Sequence, residues 1–291
     1  MEARVLRQTI RAGASALAAT WMLASPAADA VAQRGPTLDA VMRRVGAYVD
    51  NYAARASLFV ATEHYEQRTD GSTSARSRQR STTAEVALLR IDLLGAWQQF
   101  RDVTHVDRQA LADRSNRLID ALLSGARGLD EARRISEESS RFNIGMFERN
   151  FNVPTTALFF FATVHHSRFR VRARDTSADP WRLDWDEVQT PTFIRDSKGV
   201  SIPTTGSLWV NPGDGTIVRT LVEASMRGEK AQMGSGRVEV TYERNATLRK
   251  WLPGRMTEEW TTNLPGGSWA RVRGTADYRN YREFTTSARI K

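Results

Sequence analysis

The chain of 291 residues contains no cysteine. That excludes disulfides, thiol nucleophiles and cysteine-held metals in one stroke. Lysine is scarce, present only as Lys198, Lys230, Lys250 and Lys291, and histidine is limited to His64, His105, His165 and His166. With no cross-link available, stability has to come from a buried core. The content of 41% hydrophobic and 26% charged residues is that of an ordinary globular protein.

Familiar chemical signatures are missing as well. There is no phosphate-cradling Gly-x-x-x-x-Gly-Lys loop, no Gly-x-Gly-x-x-Gly turn, no Gly-x-Ser-x-Gly elbow and no His-Glu-x-x-His pair. Adjacent His165 and His166 are expected on opposite faces of a strand, where they cannot share a metal. His64 and His105, each near an acid, lack ligand spacing. Asp184 and Asp186 should share one strand face, with Trp181, Leu183 and Trp185 on the other. Two acids on one strand do not make the opposed pair that a carboxylate hydrolase needs. Glu137, Glu138, Glu258 and Glu259 read as surface acids. No nucleophile–base pair, cofactor motif or metal set emerges, so catalysis is not the expectation.

The net charge is +9, which raises nucleic acid or an anionic surface as a partner. The arginines that carry it are scattered among acids, as in RVEVTYERNATLRKW, whereas an electrostatic footprint needs clustering. Nucleic acid is therefore not expected. The densest basic run, SARSRQRS at 74–81, lies in a Gly/Ser/Thr-rich stretch that reads as a loop.

Arg4, Arg7 and Arg11 precede an apolar run from Ala12 to Ala24, followed by small residues to about Ala32. Positive, apolar, small is the order of a secretory signal peptide at 1–30, cleaved near 30–32, and the run is too short to span a bilayer. The expected product is periplasmic or secreted, a single domain over 31–291.

Thr37 reads as an N-cap, with Leu38, Val41, Met42, Val45, Val49 and Tyr52 at helical spacing. SLFVATEHYEQR alternates as a strand, placing Phe59, Ala61 and Glu63 on one face. A polar loop at 70–83, the strand AEVALLRID and a third strand, WQQFRDVTHVD, follow. ALADRSNRLIDALLSG and LDEARRISEESSRF read as two helices. Leu158 to Phe161, behind Pro154, reads as a short helix or strand pressed into the core. From His165 onward nine β-like runs dominate: SRFRVRAR, PWRLDWDEV, PTFIRD, GSLWVNP, GTIVRTLVEAS, GRVEVTYERN, GRMTEEWTT, SWARVRGTADYRNY and REFTTSARI. Ten to twelve strands against three or four helices, joined by short links, give an α+β protein with a mostly antiparallel sheet. In LWVNPGDGTIVRT, Asn211 to Gly215 makes a tight reversal with Gly213 and Gly215 at left-handed positions, and the strand after it should be covered on both sides.

Trp209, Trp251, Trp260 and the Phe159-Phe160-Phe161 segment are candidate lining for an apolar cavity; filling a core is the other reading. The hairpin LWVNPGDGTIVR and the pair VEVTYERNATLRKWLPGRMTEEW resemble the LolA/LolB-like periplasmic lipoprotein-carrier superfamily. FRDVTHVDRQALADRSNRL, RISEESSRFNIG, NVPTTALFFF and GTADYRNYREF are similar to uncharacterised exported proteins of soil bacteria. The carrier resemblance implies a half-open β-barrel, a curved antiparallel sheet wrapped around a few helices that holds acyl chains. It implies an acyl chain or lipid as ligand. The two helices expected between Ala110 and Phe142 have no counterpart in that family, and none of its lid or cavity residues maps here. An envelope protein-interaction module is the alternative, and a hydrolase a third.

Overall fold

A computed structural model describes residues 35–55, 58–72, 77–91, 96–124, 126–145, 153–196, 198–227 and 232–284. The expected signal peptide and its cleavage region lie outside them. Pro36 to Lys291 forms one compact unit.

Among the described residues, eleven strands form one antiparallel sheet. They are β1 (Leu58–Gly71), β2 (Arg78–Ile91), β3 (Ala96–Val106), β4 (Gln109–Ala110), β5 (Phe169–Asp175), β6 (Trp181–Glu187), β7 (Thr204–Val210), β8 (Ile217–Arg227), β9 (Gln232–Arg244), β10 (Trp251–Asn263) and β11 (Trp269–Phe284). Their order is β4-β3-β2-β1-β11-β10-β9-β8-β7-β6-β5, and β4 does not meet β5. The sheet is a run of meanders stitched together where β1 pairs β11. Four helices accompany it: α1 (Leu38–Arg55), α2 (Arg117–Leu123), α3 (Ala126–Ser140) and α4 (Thr156–Phe160).

The sheet curls. Cα atoms of α4 come within 8 Å of both β3 and β8, which stand six strands apart in the order. In a flat sheet six spacings measure about 29 Å. Helix α4 is only about 7.5 Å long, so it touches both only if they bend towards each other. Irregular pairing at Val60/Thr62, Thr83/Ala84 and Pro253/Arg255 supplies bulges, which bend strands and deepen twist. The fold is an α+β half-open barrel.

The concave face carries the main core. Phe59, Ala61 and Tyr65 of β1, Val86 and Leu88 of β2, Leu183 and Trp185 of β6 and Met256 and Trp260 of β10 join Val41, Val45 and Val49 of α1 in one cluster. Helix α1 is held at its start, where the Ala40 amide donates to the Thr37 hydroxyl at 3.3 Å. On the convex side of β1–β3, Leu58, Val60, Ala87, Leu89 and Phe100 pack against Leu118, Ile119, Leu122 and Ile135 of the α2–α3 pair. Leu58 to Ala61 is therefore buried without a break, because this part of the sheet has a layer on each face.

The α2–α3 pair also covers a sheet edge. Beyond its short pairing with β4, the outer edge of β3 meets no further strand among the described residues. The Arg101 amide donates to Ser136 Oγ (2.9 Å) and the Val103 amide to Ser139 Oγ (3.0 Å), both on α3. Two serines thus stand in for a twelfth strand, and a covered edge cannot recruit another chain. Asp102, almost fully buried, fastens the arrangement: it accepts from Arg117 at 2.7 and 2.9 Å and from Arg114 at 3.0 Å.

Several sequence expectations are corrected. Helix α2 begins at Arg117, not Ala110, because Asp113 and Asn116 adopt left-handed backbone and Gln109–Ala110 pairs with β3 instead. β2 starts at Arg78, inside the expected loop. PTFIRD forms only an Arg195–Ser201 bridge; the Thr192 and Phe193 amides bond to Ser201 Oγ and Glu187 rather than to a ladder. The last two expected strands join in β11, which continues through Asn280, whose φ of 54° suits asparagine at a bulge, to Phe284; the remainder of REFTTSARI lies outside the described residues. In the 211–216 turn only Gly215 is left-handed, at φ 79°. Strand β8 is covered by the core on one face and by paired side chains, not a second layer, on the other.

Two substitutions test this frame. Ser139→Ala leaves the Val103 amide buried without an acceptor and should lower stability by about 1–3 kcal/mol in urea unfolding. A Cβ on Gly215 would meet the Arg44 and Val45 backbone at 2.2–2.5 Å. Adding left-handed strain, Gly215→Ala should cost about 2–5 kcal/mol, while Gly213→Ala should be mild.

Candidate functional site

The concave face is where the chain could hold something. At one end, rings from three segments meet. Phe160 and Phe161 are fully buried against Phe169 and Trp185, with Phe160 stacked on Phe193 at 5.5 Å. Phe159 is half-buried and packs edge-on to His165 (4.8 Å) and near Phe193 (5.0 Å). His165 and His166 lie on a 3-10 turn, Thr163–Arg168, and not on a strand. His166 Nε2 lies 3.0 Å from the Phe161 carbonyl, while His165 meets the Phe193 ring edge-on at 4.9 Å.

The six expected lining residues are thereby divided. Phe159, Phe160 and Phe161 sit together on the concave side. Trp260 is buried in the same core, and Trp251 is half-buried against it. Trp209 is on the opposite face of β7, packed between Arg182 (5.5 Å) and Arg219 (4.2 Å). It lines no part of the interior, because Leu208 and Val210 take the inward positions of that strand.

The convex face sets arginines against acids. Arg172–Asp186 (2.6 Å), Arg182–Asp184 (3.0 Å), Arg219–Glu239 (2.6 Å), Arg237–Glu223 (2.7 Å) and Arg255–Asp277 (2.7 Å) form cross-strand and same-strand pairs over it. Exposed pairs of this kind stabilise little individually. Asp184 and Asp186 share a face as expected, and each is engaged by an arginine. A cleft of about 460 Å³ among these pairs has Trp209 in its lining.

The polar interior was not expected. Glu63, fully buried, meets Arg101 through Nε–Oε2 at 2.8 Å and accepts from Arg101 Nη2 at 2.9 Å. The guanidinium lies over the Tyr65 ring at 5.2 Å. The Tyr65 hydroxyl donates to Glu258, which is buried and not the surface acid its sequence context suggested. Gly274 makes that reach possible, since a Cβ there would meet the Tyr65 ring at 2.6 Å.

All six tyrosines, Tyr48, Tyr52, Tyr65, Tyr242, Tyr278 and Tyr281, belong to or pack against the concave core. Burial pushes the hydroxyls of Tyr52, Tyr278 and Tyr281 well above the ordinary tyrosine range, and those of Tyr48 and Tyr242 upward too. Burial alone would lower the Arg101 value, but the charge of Glu63 beside it holds it above normal. One clue was present in sequence: Glu63 follows Phe59 and Ala61 on the face that becomes the core.

No family model and no curated protein matches this chain. Among solved structures, a LolA superfamily protein from Nitrosomonas europaea is similar at 10% identity over 86% of this chain and 95% of its own, with a TM-score of 0.31. A DUF1329 family protein from Desulfovibrio piger is similar at 10% identity over 89% and 98%, TM-score 0.33. Lipovitellin is similar at 7% identity over 79% of this chain and 26% of its own, TM-score 0.31. Likenesses of this size assign neither ligand nor activity to the chain.

The ring cluster has a pH consequence. Burial, Arg168 and His166 depress the His165 value below the ordinary 6.5, and Asp50 opposes them only in part. The unfolded chain therefore binds the proton first as pH falls. The contribution of neutral His165 is full above about pH 6.5 and is lost as pH drops through the depressed native value. The urea midpoint should fall between about pH 7.5 and pH 5, and His165→Phe should flatten that slope.

Proposed function

We propose that the protein is exported and holds an acyl chain or similar apolar ligand against the concave face of its half-open sheet. The observation that carries this reading is the form of that face. Core strands curl around α1 and α4, the sheet stays unclosed, and a rim of half-buried apolar side chains adjoins the core. Met42, Phe159, Phe193, Met226, Leu248 and Trp251 belong to that rim. An apolar ligand entering there exchanges water for side-chain contact at about 25 cal/mol per Å² of apolar surface, and long chains gain most. Phe159, Phe160, Phe161, Trp251 and Trp260 are the proposed lining.

The free edge of β5 favours a second reading, docking of an envelope protein. Arg170, Arg172 and Arg174 line that strand and are exposed, a pattern that also guards an edge against pairing.

Native mass spectrometry of the purified protein, followed by organic extraction, tests the first reading. Adducts of acyl-lipid mass that disappear on extraction are expected. No adduct, together with no binding of a fluorescent acyl probe, would end it.

A further inference from the structure

The outer edge of β5 carries an inference about a partner. It rests on the second reading above, docking at that edge, and names the chemistry of what docks. The Val188 amide donates to the Arg168 carbonyl at 2.8 Å, so Arg168 turns its backbone towards β6. Alternate residues of a strand turn the same way. Arg170 and Arg172 therefore bond to β6, while Phe169, Val171 and Ala173 direct their backbone groups outward. The Phe169 amide is taken up by the His166 carbonyl. The amides and carbonyls of Val171 and Ala173 have no partner among the described residues.

The opposite edge of the sheet is built differently. There the outward amides of β3, at Arg101 and Val103, each find a serine of α3. An open strand edge is a template for an extended segment of another chain.

Charge singles out the same strand. Arg170, Arg172 and Arg174 fall on the convex face of β5, all exposed. The acids of neighbouring β6 are taken: Asp186 pairs with Arg172 at 2.6 Å and Asp184 with Arg182 at 3.0 Å. Asp175 closes its own turn by accepting from the Ser177 amide and hydroxyl. Arg170 and Arg174 pair with no acid among the described residues. Elsewhere on this face Arg219, Arg237, Arg255 and Arg282 each have one. On the other face of β5, Val171 packs against the core and Ala173 is exposed.

A second copy is a poor occupant. Two β5 strands paired antiparallel, with their apolar positions kept to one side, would set arginine opposite arginine, which destabilises the pair. An acidic strand gains at those same positions. One row of side chains thus turns wrong partners away and admits the right one. An anionic lipid surface meets the arginines but leaves the aligned backbone groups between them unused.

We propose that the free edge of β5 takes up an extended acidic segment of another protein as an added strand. Its carboxylates alternate along the chain to face Arg170, Arg172 and Arg174, and its apolar residues between them lie beside Val171 and Ala173.

Amide hydrogen exchange of the full chain, followed residue by residue by NMR, tests this. In the protein alone the Val171 and Ala173 amides should exchange fast, and those of Arg170 and Arg172 slowly. A peptide of alternating aspartate and valine, matching the seven residues of β5, should slow Val171 and Ala173 by at least about tenfold. Its lysine–valine counterpart should not, and added salt should weaken the effect. Methylating alternate amide nitrogens on the pairing edge of the aspartate peptide should abolish it with the charge unchanged. In the Arg170→Glu/Arg174→Glu protein the lysine peptide should become the protecting one. Protection by neither peptide in the wild type overturns the inference, as does an undiminished effect of the methylated peptide. Equal protection by both leaves docking standing and removes the acidic preference. Binding of phosphatidylglycerol vesicles with no slowing by either peptide assigns the arginines to a lipid surface instead. Slow exchange of Val171 and Ala173 in the protein alone means that the edge is already covered, and the docking reading falls with the inference; release on dilution would identify the cover as a second copy.

Discussion

A wide sheet with an apolar face cannot stay flat when little helix is available to cover it. That constraint governs this molecule. Eleven strands present far more apolar surface than α1 and the short α4 could shield on a plane, so the sheet bends until opposite strands share the same helices. Open sheets of about ten strands generally curl or split, and register shifts at six of the strand pairings make curling the easier course here. The edges follow from the same geometry. Because the sheet stops short of closure, β3 and β5 each need protection. Serines of α3 satisfy the first; arginines decorate the second.

The charge distribution completes the picture. An excess of arginine suggested at first an anionic partner, but the convex face pairs its arginines with acids strand by strand. Such a surface is well hydrated and electrically mixed. The concave face carries polar groups within its core, the Glu63–Arg101 ion pair and Glu258, which accepts from the Tyr65 hydroxyl.

Much of the frame could be read from residue order. Alternation in SLFVATEHYEQR, the Asn-Pro-Gly-Asp-Gly reversal and the spacing of valines in α1 are local signals, and local signals survive into the fold. What failed was non-local. His165 and His166 are in a 3-10 turn because neighbouring rings and Asp50, far away in sequence, fix that segment. Trp209 looked equivalent to Trp260 in composition, yet strand register turns one outward and the other inward. Glu258 looked like its neighbour Glu259 until Tyr65, on a strand nearly two hundred residues earlier, was seen to reach it across Gly274. The Glu63–Arg101 pair depends on the register of β1 with β2 and of β2 with β3, which no single-sequence pattern specifies. Register, and not propensity, separates the legible from the hidden part of the site.

The bend itself can be measured in solution. In a perdeuterated sample with methyl-protonated Ala, Leu and Val, the methyl groups of Ala157 and Leu158 on α4 should give cross-peaks to methyls of both β3 and β8, such as Val103 and Val222. Cross-peaks to one of these strands and none to the other would mean that the sheet does not fold back over α4, and the half-open interior, with every ligand argument built on it, would be contradicted.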